Sequence, residues 1–69
     1  MKEKREKLIL ARKNKGWTQE ELAKSVGISR AYLANIERGE YDPSLKVAQL
    51  ISCKLELSVD LIFFHNNVR

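Results

Sequence analysis

The sequence predicts an all-α domain of five short helices, one unit spanning residues 1–69. Two observations carry that prediction. First, a helix-start pattern recurs at Thr18, Ser29 and Ser58: a hydroxyl residue able to cap, an apolar residue just before it and another four after it. Second, apolar residues elsewhere recur at three- and four-residue spacing, glycines close the runs, and no stretch alternates as a strand would.

Glu3 to Lys15 is expected to form the first helix, with Leu8, Ala11 and Lys15 on one stripe and Leu10 off it. Asn14-Lys15-Gly16 ends it, with a glycine where a left-handed residue is needed and lysines where they suit the helix dipole. Thr18 caps the second helix, about Gln19 to Ser25, and Glu21 completes a capping box. Trp17 before the cap and Leu22 after it form a hydrophobic staple. Gly27 then allows the turn, and Ser29 caps a third helix, about Arg30 to Arg38, with Ile28 and Leu33 as its staple. Leu22, Ala23, Val26, Ile28, Leu33 and Ile36 turn inward together, which leaves one face of the third helix free. That face reads Arg30, Ala31, Ala34, Asn35, Arg38. Two alanines between long polar residues let the backbone approach something flat, such as a DNA major groove.

Gly39 to Pro43 is a loop, and either Asp42 or Ser44 caps the fourth helix. That helix runs to about Leu55 and is expected to bury Leu45, Ala48, Ile51, Ser52 and Leu55, with Cys53 as a small apolar filler. Ser58 caps the fifth, Leu57 and Ile62 form its staple, and Asp60 sits in its first turn. His65 is expected on the surface, and 66–69 to fray.

Composition excludes several classes. A single cysteine allows no internal disulfide, and one Cys with one His has no metal-ligand spacing, so neither a metal nor another cofactor is expected. No nucleophile–base constellation can be assembled, so no catalytic residue is assigned and an enzyme is not expected. No signal peptide and no apolar run long enough for a membrane span is visible, so the expected location is the cytoplasm. Net charge is +4 and uneven: Lys2, Lys4, Arg5, Lys7, Arg12, Lys13 and Lys15 against Glu3 and Glu6 give +5 in residues 1–15, and the rest sums to −1. A basic end suits nucleic acid or an anionic membrane, but charge alone favours a solubilising helix face.

The residues Arg12, Gly16, Trp17-Thr18-Gln19-Glu20-Glu21-Leu22-Ala23, Val26-Gly27-Ile28-Ser29, Ile36-Glu37-Arg38-Gly39, Pro43-Ser44-Leu45 and Leu57-Ser58-Val59-Asp60 stand in one register. In that register the chain resembles the phage repressor and Cro family, the XRE-type helix-turn-helix regulators typified by lambda repressor. The resemblance implies a lambda-repressor-like five-helix fold with the helix-turn-helix at 18–38 and C-terminal helices at 44–64 serving core and dimer. It also implies sequence-specific binding of double-stranded DNA, a repressor's role and a near-palindromic operator read by a homodimer.

Arg30 and Asn35 carry hydrogen-bonding forks suited to guanine and adenine edges, and Ala31 could meet a thymine methyl. Gln19 opens the second helix at a positive helix end, and the resemblance implies a DNA-backbone contact there. Arg38 and Lys24 are expected at phosphates, with a solvated face as the alternative; Tyr32 either donates its hydroxyl to a phosphate or packs. Backbone amides near Gly39 to Tyr41 are expected to hold phosphates too. Glu37 in the last turn opposes the dipole and needs a compensating positive charge. The resemblance implies that Arg12 supplies it as a structural ion pair. Leu50, Leu61 and Phe64 are the expected dimer interface, since a domain this small has apolar residues in excess near its end. Glu56 stands where the family commonly has glycine, so the turn there is either built differently or strained.

The rival reading is a protein-binding module, an antitoxin or an adaptor, with a toxin or antirepressor protein as partner. A dedicated adaptor has no need of a phosphate-suited Gln19 beside an Arg/Asn face, which favours DNA. A membrane anchor ranks third, because the apolar stripe of the first helix is needed for the core.

Overall fold

The computed structural model describes the backbone of residues 3–64 and the side chains of residues 3–63. Four α-helices, α1 (Glu6–Asn14), α2 (Gln19–Val26), α3 (Arg30–Glu37) and α4 (Leu45–Leu55), precede a single π-helical turn, Asp60–Phe64. The last element is thus a wider turn than the α-helix expected there.

The start signals act as their chemistry dictates. Thr18 Oγ1 accepts from the Glu21 N–H at 3.0 Å, and Glu21 Oε1 accepts from the Thr18 N–H at 2.9 Å. Ser29 Oγ accepts from the Tyr32 N–H at 3.0 Å, and Ser58 Oγ from the Leu61 N–H at 3.1 Å. Ser44 caps α4 by accepting from the Val47 N–H at 3.2 Å, which leaves Pro43 just outside the helix and Asp42 to another partner. α1 departs from expectation. It starts at Glu6 because the Arg5 N–H donates to the Glu37 carbonyl at 2.9 Å, holding the preceding residues out of the helix.

All four α-helices end in the same way. The N–H groups of Trp17, Ile28, Glu40 and Leu57 reach back five residues to the carbonyls of Arg12, Ala23, Asn35 and Ser52, at distances between 2.9 and 3.2 Å. Such a wrap needs a left-handed residue just before the donor. Gly16, Gly27 and Gly39 fill three of those places, and Glu56 fills the fourth at φ 61°. The turn is therefore built as in a glycine-ended helix, with the strain kept.

Leu8, Leu22, Leu33, Ile36 and Ile51 are fully buried and form the centre of the core, surrounded by Ala23, Val26, Ala48, Leu55, Ile62 and Phe63. Each buried Leu or Ile contributes about 1.5–3 kcal/mol relative to an exposed one. The staple residues Trp17, Ile28 and Leu57 pack half-buried against this cluster. α2 lies against α3 and α4, while α1 closes over α3 and the final turn.

Three packing expectations are corrected. Leu45 is 63% exposed, since as first residue of α4 it lies at the edge of the stripe through Ala48, Ile51, Ser52 and Leu55. Cys53 is exposed, because one step past buried Ser52 turns it to the far side of α4. Lys15 is exposed and pairs with Glu56 at 3.1 Å. Leu10 is exposed as expected.

Candidate nucleic-acid interface

The core takes Leu33, Ile36 and Glu37 from α3 and leaves its opposite side at the surface, with Arg30, Ala31 and Arg38 exposed and Ala34 and Asn35 half-buried. Arg38 Nη2 donates to Asn35 Oδ1, so the two longest polar groups at this end of the face are joined. Tyr32 is half-buried against the core at the rim, its ring tilted by 48° to that of Tyr41 with centroids 6.1 Å apart. Arg30, Gln19, Glu20, Thr18 and Arg12 line an open concavity between the starts of α2 and α3.

Beneath this surface lies the expected ion pair. Arg12 and Glu37 are 8% and 3% exposed. Arg12 Nε donates to Glu37 Oε2 at 2.7 Å and Nη2 to Oε1 at 3.3 Å, while Nη1 donates to the Trp17 carbonyl at 2.8 Å. Removing either partner strands the other charge at a cost of about 3–5 kcal/mol. The pair ties α1 to the last turn of α3, where an unpaired carboxylate would oppose the helix dipole.

Gln19 is not a plain solvent-facing glutamine. Its Nε2 donates to Glu37 Oε1 at 2.9 Å, and its Oε1 accepts from Arg30 Nη1 at 3.2 Å.

The profile of the helix-turn-helix family matches residues 8–62, from the first core leucine into the final turn. The chain belongs to the helix-turn-helix family. A transcriptional regulator of the HTH type from Methanocaldococcus jannaschii is 44% identical over 50 residues, 72% of this chain and 76% of that one. The immunity repressor of Bacillus phage phi105 is 41% identical over 51 residues, 74% of this chain but only 35% of the repressor. The N-terminal DNA-binding domain of SinR from Bacillus subtilis superposes with a TM-score of 0.78 at 30% identity, covering 91% of this chain and 93% of that domain. SinR in complex with DNA gives a TM-score of 0.70 at 35% identity, over 77% of this chain and 86% of that one. With family and fold together, this is a DNA-binding transcriptional regulator and not an enzyme.

The helix-turn-helix brings Arg30 and Gln19 together, and Asn35 and Arg38, but not every expected contact. Lys24 is exposed in the last turn of α2, at the opposite end of that helix from Gln19. The amides of Gly39, Glu40 and Tyr41 already donate to the carbonyls of Ile36 and Asn35, at 2.9–3.3 Å, so they are not the waiting phosphate donors expected. Leu50 and Leu61 are 40% and 38% exposed, and the Phe64 side chain and His65 lie outside the described residues. Among the described residues no group of His, Cys, Asp and Glu could hold a metal, and no helix is long and apolar enough to cross a membrane.

One important residue of this fold, ahead of the helix-turn-helix, was not legible in the sequence. Arg5 Nη1 donates to the carbonyls of Ile36 at 2.8 Å and Tyr41 at 3.1 Å, and Nη2 donates to Asp42 Oδ1 at 2.7 Å. It thereby satisfies a carbonyl at the end of α3, where a cation is favoured. Of the basic residues that give the N-terminal segment its charge, Arg5 and Arg12 are spent inside the fold and Lys15 on Glu56. Lys4, Lys7 and Lys13 remain exposed. The only sequence signal for Arg5 was its charge, which its neighbours share.

Proposed function

We propose that this regulator is a repressor that reads a near-palindromic duplex site as a homodimer. The observation that carries the reading is the surface of α3, where Arg30, Ala31 and Asn35 follow one another on one exposed face with Arg38 at its end. Arg30 donates to guanine O6 and N7, Asn35 meets an adenine edge, and Ala31 contacts a thymine methyl. Asn35 Oδ1 accepts from Arg38 and keeps a second lone pair, with both Nδ2 hydrogens, for the base. Arg38, Tyr32, Gln19 and Lys24 hold phosphates. The phage repressor and SinR similarities support a repressor's role and a duplex partner.

Two copies meet through Leu50, Leu61 and Phe64, which sets the two recognition helices about 34 Å apart, one turn of B-DNA. The exposed leucines of α4 and the final turn support this assembly. Sedimentation at micromolar concentration should show a dimer that Leu61→Ala weakens; a monomer unchanged by that substitution overturns the homodimer.

The test of the DNA reading starts from sites selected out of a random duplex library. Arg30→Ala and Asn35→Ala should each relax preference at one base pair per half-site, at a cost of about 1–3 kcal/mol. Arg38→Ala should weaken all sequences alike and lower the salt slope by about one unit. If Arg30→Ala and Asn35→Ala leave base preference intact, this face of α3 is not in the groove.

A further inference from the structure

Arg5 stands between two surfaces that the proposed function uses separately. On one side lies the end of α3. Arg5 Nη1 donates to the Ile36 carbonyl at 2.8 Å and the Tyr41 carbonyl at 3.1 Å, and the Arg5 N–H donates to the Glu37 carbonyl at 2.9 Å. The Glu40 and Tyr41 amides donate in turn to the Asn35 carbonyl. Arg5 thus grips the segment that carries Asn35 and Arg38, and the Tyr41 ring leans on that of Tyr32 at the rim of the same face. On the other side lies the final turn. The Arg5 guanidinium covers the Phe63 ring at 5.3 Å from its centroid, and Leu61 on the same turn is exposed. Ser58 starts this five-residue turn, and the buried Ile62 and Phe63 side chains hold it to the body of the domain.

The Arg5 side chain is only 14% exposed. A guanidinium pressed against a ring is partly stripped of water, and its bonds to carbonyls strengthen with that loss of solvent. A second copy packed on Leu61 holds the turn, and with it Phe63, against Arg5. A duplex packed on α3 holds the Ile36–Tyr41 segment against the same guanidinium. Each event orders a group that the other needs, and such a coupling works equally in both directions.

We infer that Arg5 is a positioning residue that couples dimer assembly to DNA binding, so that each tightens the other. The inference rests on the homodimer and the DNA face proposed above. It differs from the gain of two protomers sharing one duplex, which depends on linked half-sites and needs no Arg5.

A duplex cut from the selected site to carry one half-site removes that gain, because it cannot bridge two protomers. Sedimentation then gives the dimer dissociation constant without this duplex and at its saturating concentration. The ratio is taken for each protein against its own duplex-free dimer, so a general loss of stability or dimer strength cancels. Arg5→Met removes charge and hydrogen bonds at similar length, Arg5→Lys keeps the charge, and Phe63→Leu removes the ring while leaving Arg5 on α3. Thermal melting confirms folding, and Phe63→Leu probes the same link should Arg5→Met not fold. The half-site duplex should tighten the parent dimer about fivefold or more, and that of each variant less than about twofold. Retention of the full ratio by Arg5→Met or Phe63→Leu overturns the inference. Its recovery by Arg5→Lys does so too, since charge alone would then suffice. A parent dimer unchanged by the duplex sinks only the inference. A parent that stays monomeric with and without duplex sinks the homodimer reading itself, and the inference with it.

Discussion

The guanidinium of Arg5 lies over the ring of Phe63, 5.3 Å from its centroid. The same group donates to the carbonyls of Ile36 and Tyr41, so one side chain joins the start of the chain to the final turn and to the end of α3. Phe63 itself belongs to the core and is 8% exposed.

Arg5→Ala should destabilise the domain by about 2–3 kcal/mol, from lost charge-assisted hydrogen bonds and a desolvated cation–π contact. The Asp42 bond adds little, because that side chain is 68% exposed. Arg5→Lys should recover less than half, since an ammonium cannot span two carbonyls and a ring as a planar guanidinium does. Urea unfolding of the three proteins checks this; full recovery by lysine would show that charge alone matters.

Glu37→Gln should cost on the order of 3 kcal/mol by stranding the Arg12 charge against a neutral amide. For a domain of this size each kcal/mol lowers the melting temperature by roughly 4–8 °C. A variant melting within a degree or two of the parent would mean that water reaches Arg12 more readily than its 8% exposure implies.

Ser52 is 2% exposed, and its Oγ has no hydrogen-bond partner. A buried hydroxyl without a partner costs about 1–3 kcal/mol, so Ser52→Ala should stabilise the fold. Guanidinium chloride titration should show a higher midpoint with an unchanged slope. A lower midpoint would reveal that the hydroxyl makes a bond in solution.

Glu56→Gly should raise stability by about 0.5–1 kcal/mol, because glycine adopts the left-handed turn at φ 61° without a side-chain clash. The Lys15–Glu56 pair lost in the exchange is mostly exposed and contributes little. Glu56→Val, which adds branching at the same backbone angle, should destabilise instead. Thermal melts of both variants test the sign; a stable valine variant would place this residue outside the left-handed region.

Local rules made the helix starts and stops legible in the sequence. A serine or threonine bonds an amide three residues on, and a glycine turns left because nothing prevents it, wherever the rest of the chain lies. Thr18, Ser29, Ser58, Gly16 and Gly27 were readable for that reason, as were the core residues Leu22, Leu33 and Ile36. The Arg12–Glu37 pair was readable only through the family resemblance, since no local pattern joins residues on different helices.

Packing alone decided the rest. α1 begins at Glu6 because Glu37 offers a carbonyl to the Arg5 N–H, and Ser44 caps α4 while Asp42 accepts from Arg5. Cys53 and Leu45 face outward because α4 has only one buried stripe, shared with Ser52 and Leu55. Gln19 becomes a bridge rather than a surface amide because the ends of α2 and α3 bring Glu37 and Arg30 to either side of it. Caps, turns and stripes depend on neighbours within a few residues, and the sequence carries them. The partners of a long polar side chain depend on which helix ends meet, and only the folded chain decides that.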